Sequence, residues 1–302
     1  MDRIILRPLA KVNLGLDVVR KREDGYHEVR MVMQTLGLHD HMVMDKQDTG
    51  KVTMKANLPY LPCNEHNLIV QAIELMRREY KISQGVHVNL KKVIPVSGGM
   101  AGGSSDAAAA LFGMNLLFDL HLSRRQLMDL GVQLGADVPY CVMRGTVLAE
   151  GIGEILTPLP GCPYGGVLVV KPSFGVSTKE VYQRFDQLKE VSHPDIDGLI
   201  EAIRRQDLNG ICAAMGNNLE EVTAKQYPLI GKIESIMERQ GALKAMMSGS
   251  GPTVFGIFET LEQAKQAAKA FDKMKGVGLV KATTFYNVKG RESNGKFRAG
   301  KK

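Results

Sequence analysis

The 302-residue chain contains no long apolar run and only four cysteines. A membrane-spanning helix needs about 18 or more apolar residues, and none is present. The amino end is too short and too soon interrupted by charge for a secretory signal. No Cys-x-x-Cys pair or zinc-ligand spacing occurs at Cys63, Cys141, Cys162 and Cys212. We therefore expect a cytoplasmic protein whose thiols are reduced and lie in or near the core.

The basic charge of the chain is concentrated at its carboxyl end. The net charge is +7, and residues 287–302 carry +5 of it, which leaves only +2 for the rest. This segment is rich in glycine and lysine, a composition typical of disorder. We predict a disordered tail over 287–302. An RNA-binding arm is the alternative, and we consider nucleic acid an improbable partner.

The first half of the chain has the pattern of strands followed by helices. Apolar residues alternate with polar ones over 11–18, which predicts a strand with one buried face and places Lys11 and Asn13 on the other face. Further strands are predicted over 28–37, 41–46, 51–56 and 86–91. Asn67 is a good cap for the helix that follows it, and Ser123 with Gln126 has the form of a capping box for a helix ending near Gly135.

Turn-forming residues between 158 and 163 mark the best candidate for a domain junction. After it, the pattern predicts a strand over 167–170, a helix capped by Ser177, helices between 195 and 240, strands over 243–247 and 253–258, a helix over 261–274 and a strand over 279–286. This order suggests an antiparallel sheet covered by helices on one side. We predict an α+β fold with domains over 1–160 and 161–286.

A glycine-rich segment over 97–106 is the strongest functional feature. Backbone N–H groups that converge on a polyphosphate need small side chains around them and the positive end of a helix behind them. Four glycines, with Ser104 and Ser105 after them, lead directly into an alanine-rich helix predicted over 105–118. No Lys-Ser/Thr follows the glycines and no Gly-x-Gly-x-x-Gly occurs, which disfavours a P-loop NTPase or a Rossmann dehydrogenase. The alternative is a flexible connection between strand and helix. A second cluster, Ser248 to Pro252, reads locally as a hairpin turn.

Three blocks in order resemble the GHMP kinase superfamily: PLAKVNL at 8–14, PVSGGMAGGSSDAA at 95–108 and MSGSGPT at 247–253. They are spread over most of the chain and are jointly specific. REDGYH at 22–27 and GADVP at 135–139 are similar to the branch that acts on a CDP-linked methylerythritol. The resemblance implies a two-domain GHMP kinase fold with a ferredoxin-like carboxyl-terminal domain. It also implies transfer of the ATP γ-phosphate to the 2-hydroxyl of that substrate, on the non-mevalonate route to isoprenoids.

The resemblance also implies residue roles. The catalytic residues are Lys11 and Asp137. ATP is bound by Asn67, Pro95, Val96, Ser97, Gly98, Gly99, Met100, Ala101, Gly102, Gly103, Ser104 and Ser105. The CDP-linked substrate is bound by Asn13, Tyr26, His27, Thr178, Tyr182, Gly249, Ser250 and Gly251. Mg²⁺ is expected with ATP, and Ser105 is the one candidate protein ligand for it.

In this interpretation Asp137 accepts the proton of the substrate hydroxyl, while Lys11 lies between that carboxylate and the γ-phosphate. Without the resemblance, Asp137 would be read as a turn aspartate, Lys11 as a solvated strand residue, and Tyr26 with His27 as a half-buried turn pair. The rival functions are another GHMP kinase, acting on mevalonate, homoserine or a sugar, and a catalytically inactive homologue. The sequence leaves a monomer or a homodimer open.

Overall fold

The computed structural model describes residues 1–288. Its first half contains the strands β1 (Arg3–Leu6), β2 (Leu9–Lys21), β3 (His27–His39), β4 (His41–Gln47), β5 (Val52–Ala56), β6 (Gly85–Lys91), β7 (Thr146–Glu150) and β8 (Ile155–Pro158). The helices there are α1 (Leu68–Glu79), α2 (Gly102–Leu117), α3 (Arg124–Val132) and α4 (Val138–Met143). The four strands predicted between 28 and 91 are present, with ends shifted by one or two residues.

The second half carries most of the helices. Its elements are β9 (Gly166–Pro172), α5 (Thr178–Phe185), α6 (Ile196–Arg204), α7 (Leu208–Ala214), β10 (Gly216–Asn217), α8 (Asn218–Gln226), α9 (Leu229–Arg239), β11 (Lys244–Met247), β12 (Val254–Phe258), α10 (Leu261–Ala268) and β13 (Val277–Thr284). The helix predicted over 261–274 ends at Ala268 and continues as a short 3-10 turn to Phe271.

Local capping explains why several helices begin where the sequence predicted. The Asn67 side chain accepts from the Ile69 N–H at the start of α1. Ser123 and Gln126 form the reciprocal capping box of α3. Each of these caps satisfies N–H groups that the first turn of a helix leaves without a partner. Helix α3 ends at Val132, three residues before the predicted end.

The central hairpin of β2 and β3 is buried on both faces, so the prediction of a single buried face was wrong. β2 lies between β3 and the two-residue strand β10, in the order β10-β2-β3-β7-β8. A register shift between Asn13 and Gly15 changes the direction in which the following side chains of β2 point. Val12 and Leu14 consequently pack in one core cluster, and Leu16 packs in another. Lys11 and Asn13, expected on the open face, are 5% and 0% exposed.

The carboxyl-terminal sheet is antiparallel, in the order β11-β12-β9-β13. Counted along the chain its strands stand in the order 2-3-1-4, the arrangement of a ferredoxin-like sheet. Helices α9 and α10 cover one face, through residues such as Ile233 and Ala264. Helices α6 and α7 lie over Val167, Val169 and Phe255 on the other. Helices therefore cover both faces, and not only one as predicted, because strand residues of both orientations are apolar.

Segments of the second half also complete the core of the first. Val181 and Phe185 of α5, and Leu219 and Val222 of α8, pack in the same cluster as α1 and α2. β10 pairs in parallel with β2, more than 200 residues away in sequence. Two of the three core clusters therefore contain residues from both halves of the chain, and the division near residue 160 stays a prediction.

Two predictions about the surface need correction. Cys63 is exposed, and the other three cysteines are buried. Asn287, the first residue of the predicted tail, donates from its side chain to the Cys162 carbonyl at 2.7 Å. The predicted tail from residue 289 onward lies outside the described residues. Within residues 1–288, no helix is long and apolar enough to cross a membrane.

Candidate active site

A cavity of about 690 Å³ brings the predicted site residues together from both halves of the chain. The predicted residues that line it are Lys11, Asn13, Asn67, Pro95, Val96, Ser97, Gly98, Gly99, Ala101, Gly102, Gly103, Ser104, Asp137, Thr178, Tyr182, Gly249 and Ser250. The predicted residues absent from its lining are Tyr26, His27, Met100, Ser105 and Gly251. Of 22 predicted residues, the fold thus assembles all but five around one space.

The amino end of α2 opens onto this cavity without a side-chain cap among the described residues. Side chains cap α1, α3, α5, α6, α7, α8 and α10, whereas α2, α4 and α9 have no side-chain cap among the described residues. The helix begins at Gly102, three residues earlier than predicted, because glycines can supply its first turn. Its first N–H groups and the helix dipole are therefore available to an anion.

The glycine loop before α2 is held against the second glycine turn. The Ser248 hydroxyl donates to the Gly99 carbonyl at 3.0 Å. Gly99 has φ +72°, and a Cβ built on it would lie 2.2 Å from the Ser248 carbonyl oxygen. The turn predicted over 248–252 does lie in the hairpin connection between β11 and β12, which spans 248–253, and Gly249 and Ser250 also line the cavity. Only glycine fits where the two turns meet.

Lys11, Asn13 and Asp137 lie on the same cavity. The Lys11 ammonium donates to the Asn13 side-chain oxygen at 2.7 Å, and the backbone N–H of Lys11 donates to the Met100 carbonyl at 3.2 Å. Asp137 stands at the start of α4 but makes no capping hydrogen bond. No hydrogen-bond partner for its carboxylate is found within residues 1–288. Asp137 thus lies in a turn at a helix start, as the alternative interpretation has it, but its side chain makes no capping hydrogen bond.

An aromatic pair is formed by Tyr182, which lines the cavity, and His27, which does not. The His27 and Tyr182 rings have centroids 4.6 Å apart with an interplanar angle of 39°. His27 Nε2 and Asp186 Oδ1 are 2.6 Å apart, and Lys21 contacts the other carboxylate oxygen. Burial raises the pKa of Tyr182 to about 12, so the phenol stays neutral. Tyr26 is 62% exposed and takes no part in this pair.

The side chains of two predicted site residues already form hydrogen bonds within the protein. The Ser105 hydroxyl donates to the Leu9 carbonyl at 2.5 Å and the residue is buried, so the structure gives no support to Ser105 as a Mg²⁺ ligand. Asn67 lines the cavity, but its side chain accepts from Ile69 and donates to the Pro62 carbonyl. A nucleotide contact by Asn67 would therefore use its remaining amide hydrogen or its backbone.

Comparisons with known proteins agree with this geometry. The family model described as the GHMP kinases N terminal domain matches residues 67–145, and the model described as GHMP kinases C terminal matches residues 199–276. This chain belongs to the GHMP kinase family. The resemblance recognised in the three sequence blocks and the two-part α+β fold are therefore confirmed.

Relatives of this GHMP kinase carry a consistent name. A 4-diphosphocytidyl-2-C-methyl-D-erythritol kinase of Lachnospira eligens is 55% identical over 91% of this chain and 96% of that protein. One of Acetivibrio thermocellus is 46% identical over 91% and 96%. A crystal structure of 4-(cytidine 5'-diphospho)-2C-methyl-D-erythritol kinase superposes with a TM-score of 0.80 at 30% identity, covering 93% of this chain and 99% of that one. The homoserine kinase of Cytophaga hutchinsonii, at 20% identity and a TM-score of 0.77, shows the shared fold.

Sequence reasoning missed several residues of this GHMP kinase that support the site. Asp186, the partner of His27, lies four residues after Tyr182, and that i, i+4 spacing could have predicted it. Lys92 and Asp106 line the cavity and flank the glycine loop in sequence. Charged residues next to a predicted phosphate loop could have been named as candidates. Asp40, which binds Lys92, had no such signal because 52 residues separate the two.

A half-buried carboxyl pair supports the second glycine turn. The Glu220 carboxylate accepts from the N–H of Met247, directly before that turn, at 2.6 Å. Glu234 hydrogen-bonds to Glu220 from α9, and Glu238 and Lys244 are the other charged groups near it. Burial, followed by the charge of Glu220, raises the pKa of Glu234 to about 8. At neutral pH Glu234 is thus protonated and can donate to Glu220.

Replacing Glu234 by glutamine is expected to flatten the pH dependence of stability. The raised pKa means that the folded state binds a proton between about pH 4.5 and about pH 8 that the unfolded state has lost. The free energy of unfolding of the parent protein should therefore fall across this window and level off above it. The glutamine amide donates at every pH, so the fall should be smaller by at least ~1 kcal/mol. Urea titrations at pH 5.5 and 8.5 measure this, with Glu221→Gln as control, since Glu221 is an exposed glutamate of α8 paired with Lys225. Equal losses in parent and Glu234→Gln would contradict the assignment.

Proposed function

We propose that this chain transfers the γ-phosphate of ATP to the 2-hydroxyl of 4-diphosphocytidyl-2-C-methyl-D-erythritol, giving the 2-phosphate and ADP, in non-mevalonate isoprenoid precursor biosynthesis. One observation carries the proposal. The uncapped amino end of α2, the Lys11 and Asp137 side chains and the Tyr182 ring border the same cavity. A phosphate site, a reacting centre and a base-stacking surface therefore face one ligand space. The names of the relatives agree with this substrate.

In the reaction, the substrate hydroxyl oxygen attacks the γ-phosphorus, the bond from that phosphorus to the β,γ-bridging oxygen breaks, and ADP leaves with the electron pair. Asp137 accepts the hydroxyl proton, since its carboxylate has no competing partner within residues 1–288. Lys11, fixed by Asn13, stabilises negative charge on the phosphoryl group in transfer. The protein contributes mainly alignment and charge, as phosphoryl transfer requires.

The residues present fit a Mg²⁺ ion that arrives with the nucleotide. Among the described residues no group of three or more His, Cys, Asp or Glu side chains could hold a metal ion. Mg²⁺ binds phosphate oxygens and keeps several waters, so it needs few protein ligands. When bound, it neutralises charge on the β- and γ-phosphates. The two acidic residues of the cavity lining have other roles, Asp106 in an ion pair with Lys92 and Asp137 as the proposed base, so phosphate oxygens and waters would supply the ligands of the ion.

The aromatic pair matches a cytosine base. Asp186 accepts from Nε2–H of His27, so an Nδ1 that carries no proton would be an acceptor for an amino group such as that of cytosine. Tyr182 offers a flat face for stacking. The Thr178 and Ser250 hydroxyls, 2.8 Å apart, close the cavity beside this pair. A GHMP kinase acting on mevalonate or homoserine has no base to stack, so this pair favours the CDP-linked substrate.

Replacing Tyr182 by leucine should raise KM for the CDP-linked substrate about tenfold and leave KM for ATP within about twofold. Stacking of a base on an aromatic ring contributes roughly 1–3 kcal/mol, and 1.4 kcal/mol corresponds to tenfold. Tyr182→Phe is the matched control because it keeps the ring and should bind like the parent. Steady-state kinetics with each substrate varied in turn measures the two KM values separately. Similar KM values for the phenylalanine and leucine variants would exclude a stacking role.

A direct assay tests the proposed function. ATP, Mg²⁺ and the CDP-linked methylerythritol are supplied to folded protein, and the 2-phosphate product is identified by phosphorus NMR. Absence of that product would refute the proposal. Competitive inhibition by CDP or CMP against the alcohol substrate separates it from the rival GHMP kinases, for which cytidine nucleotides should have no effect.

The cellular location, the oligomeric state and the use of Mg²⁺ are proposals as well. We infer that the protein acts in the cytoplasm as a monomer or homodimer and that it uses Mg²⁺ with ATP. The coarser findings behind them are the lack of a membrane-crossing helix within residues 1–288 and the membership of the chain in a family of ATP-dependent kinases.

A further inference from the structure

A buried ion cluster of Lys92, Asp40 and Asp106 lies behind the phosphate loop. The Lys92 ammonium is 2.5 Å from Asp40 Oδ2 and 2.6 Å from Asp106 Oδ2. The three side chains are at most 5% exposed. Burial acts against the charged form of Lys92, but the charges of Asp106 and Asp40 outweigh it and raise its pKa. The ammonium therefore stays charged and joins two carboxyl groups from different parts of the fold.

This ion cluster contacts the residues at both ends of the phosphate loop. At the entry, Asp40 Oδ1 accepts from the N–H groups of Val93 and Ile94, directly before Pro95, where the loop begins. At the exit, Asp106 belongs to the first turns of α2. The Lys92 ammonium also lies against the first residue of that helix, since a Cβ built on Gly102 would be 3.0 Å from it. Asp40 itself stands between β3 and β4, so the anchor is the rigid sheet.

The loop between these two ends is strained. Ser97 and Ala101 have φ of +51° and +52°, in the left-handed region that residues with a Cβ rarely adopt, and Gly99 between them has φ +72°. A strained backbone persists only when its surroundings hold it. The contacts that hold the loop are the hydrogen bond from Ser248 to Gly99, the hydrogen bond from the Lys11 N–H to the Met100 carbonyl, and the ion cluster at its two ends.

We propose that Lys92 is a positioning residue for phosphoryl transfer, which holds the strained phosphate loop in its binding conformation by linking Asp106 of α2 to Asp40 of the sheet. This inference rests on the proposed function only in naming the ATP phosphates as the loop's ligand. Lys92 needs no contact with the nucleotide in this role. Replacing Lys92 should weaken the binding of ATP and ADP. It should not weaken the binding of the alcohol substrate, whose base pocket is formed by residues of α5 and β3.

The test uses three variants and two measurements. Lys92→Met removes the charge at similar length. Asp106→Leu removes the acceptor for Lys92, and Asp106→Asn keeps a side-chain oxygen at the same place. We expect Lys92→Met and Asp106→Leu to raise Kd for ADP, measured by calorimetry, and KM for ATP, each by about tenfold or more, and to change KM for the CDP-linked substrate by less than about threefold. Asp106→Asn should stay within about threefold of the parent in all three constants.

Each outcome is decisive. Unchanged ADP affinity in folded Lys92→Met would overturn the proposal, as would a rise in KM for both substrates together, which indicates a merely structural role. If Lys92→Met does not unfold cooperatively, the Asp106 pair decides: equal constants for Asp106→Leu and Asp106→Asn would refute the link. ADP calorimetry needs no alcohol substrate. A failure of the proposed function in the product assay therefore leaves this test intact.

Discussion

Asp137→Asn is expected to lower the turnover number at least ~100-fold, the low end of the effect of losing a general base. The amide has nearly the shape of the carboxylate but cannot accept the hydroxyl proton. KM for ATP should change little, because Asp137 lies at the start of α4 and the phosphates are assigned to the loop before α2. Single-turnover quench experiments measure the chemical step separately from product release.

The same substitution should leave the fold intact. Asp137 makes no capping hydrogen bond and, among the described residues, its carboxylate has no hydrogen-bond partner whose loss would destabilise α4. Pro139 in the first turn already favours the start of that helix. The free energy of unfolding of Asp137→Asn should therefore match that of the parent within about 0.5 kcal/mol.

Asp129→Asn is the matched control for this prediction. Asp129 lies on the neighbouring helix α3 in an exposed pair with Arg125, so its loss should alter neither turnover nor stability measurably. Turnover of Asp137→Asn within about tenfold of the parent would remove Asp137 from the chemistry. The assignment of the base would then have to pass to another group on the cavity.

Local patterns explain how much of the fold could be predicted from the sequence. Helices α1 and α3 were placed correctly because Asn67 and Ser123 cap them through atoms two or three residues away. The helix behind the glycine loop was predicted, but its start was placed at 105. That error arose because helix propensity disfavours glycine, while this helix begins with Gly102 at an open end.

Long-range contacts explain what could not be predicted. Strand β10 has two residues, and its pairing with β2 leaves no periodic signal. Lys11 and Asn13 looked solvated from the alternation of β2, yet the loop carrying Met100 and the turn carrying Ser248 cover them. Burial of polar strand residues follows from tertiary packing, which the period of a single strand does not encode.

The candidate site was predicted best where its residues are contiguous. The loop over 95–105 was identified as a unit, although Met100 and Ser105 turn inward. The family resemblance supplied Thr178 and Ser250, which hydrogen-bond across 72 residues of sequence. Tyr26 was assigned together with His27 from the Tyr-His pair, but adjacent residues of an extended chain point in opposite directions, and only His27 reaches Tyr182.

Gly99→Ala should reduce kcat/KM for ATP about 100-fold or more. A Cβ on Gly99 would lie 2.2 Å from the Ser248 carbonyl oxygen, and a backbone atom cannot move aside as a flexible side chain can. The phosphate loop and the second glycine turn must therefore separate. A displacement of about 1 Å in a positioning element costs on the order of 100-fold in rate. The crowding and the φ of +72° together should lower the free energy of unfolding by about 1–3 kcal/mol.

Gly231→Ala provides the control because it adds the same methyl group where it meets nothing. Gly231 lies within α9, and apart from its chain neighbours and the backbone of its own helix, no atom of the described residues lies within 4 Å of a Cβ built on it. Alanine favours a helix over glycine by up to about 1 kcal/mol, so this variant should be equally or more stable and fully active. Kinetics with ATP varied and urea unfolding of both variants test the contrast. Parent-like activity of Gly99→Ala would mean that the two turns separate without moving the bound phosphates, and the contact between Gly99 and Ser248 would then have no part in catalysis.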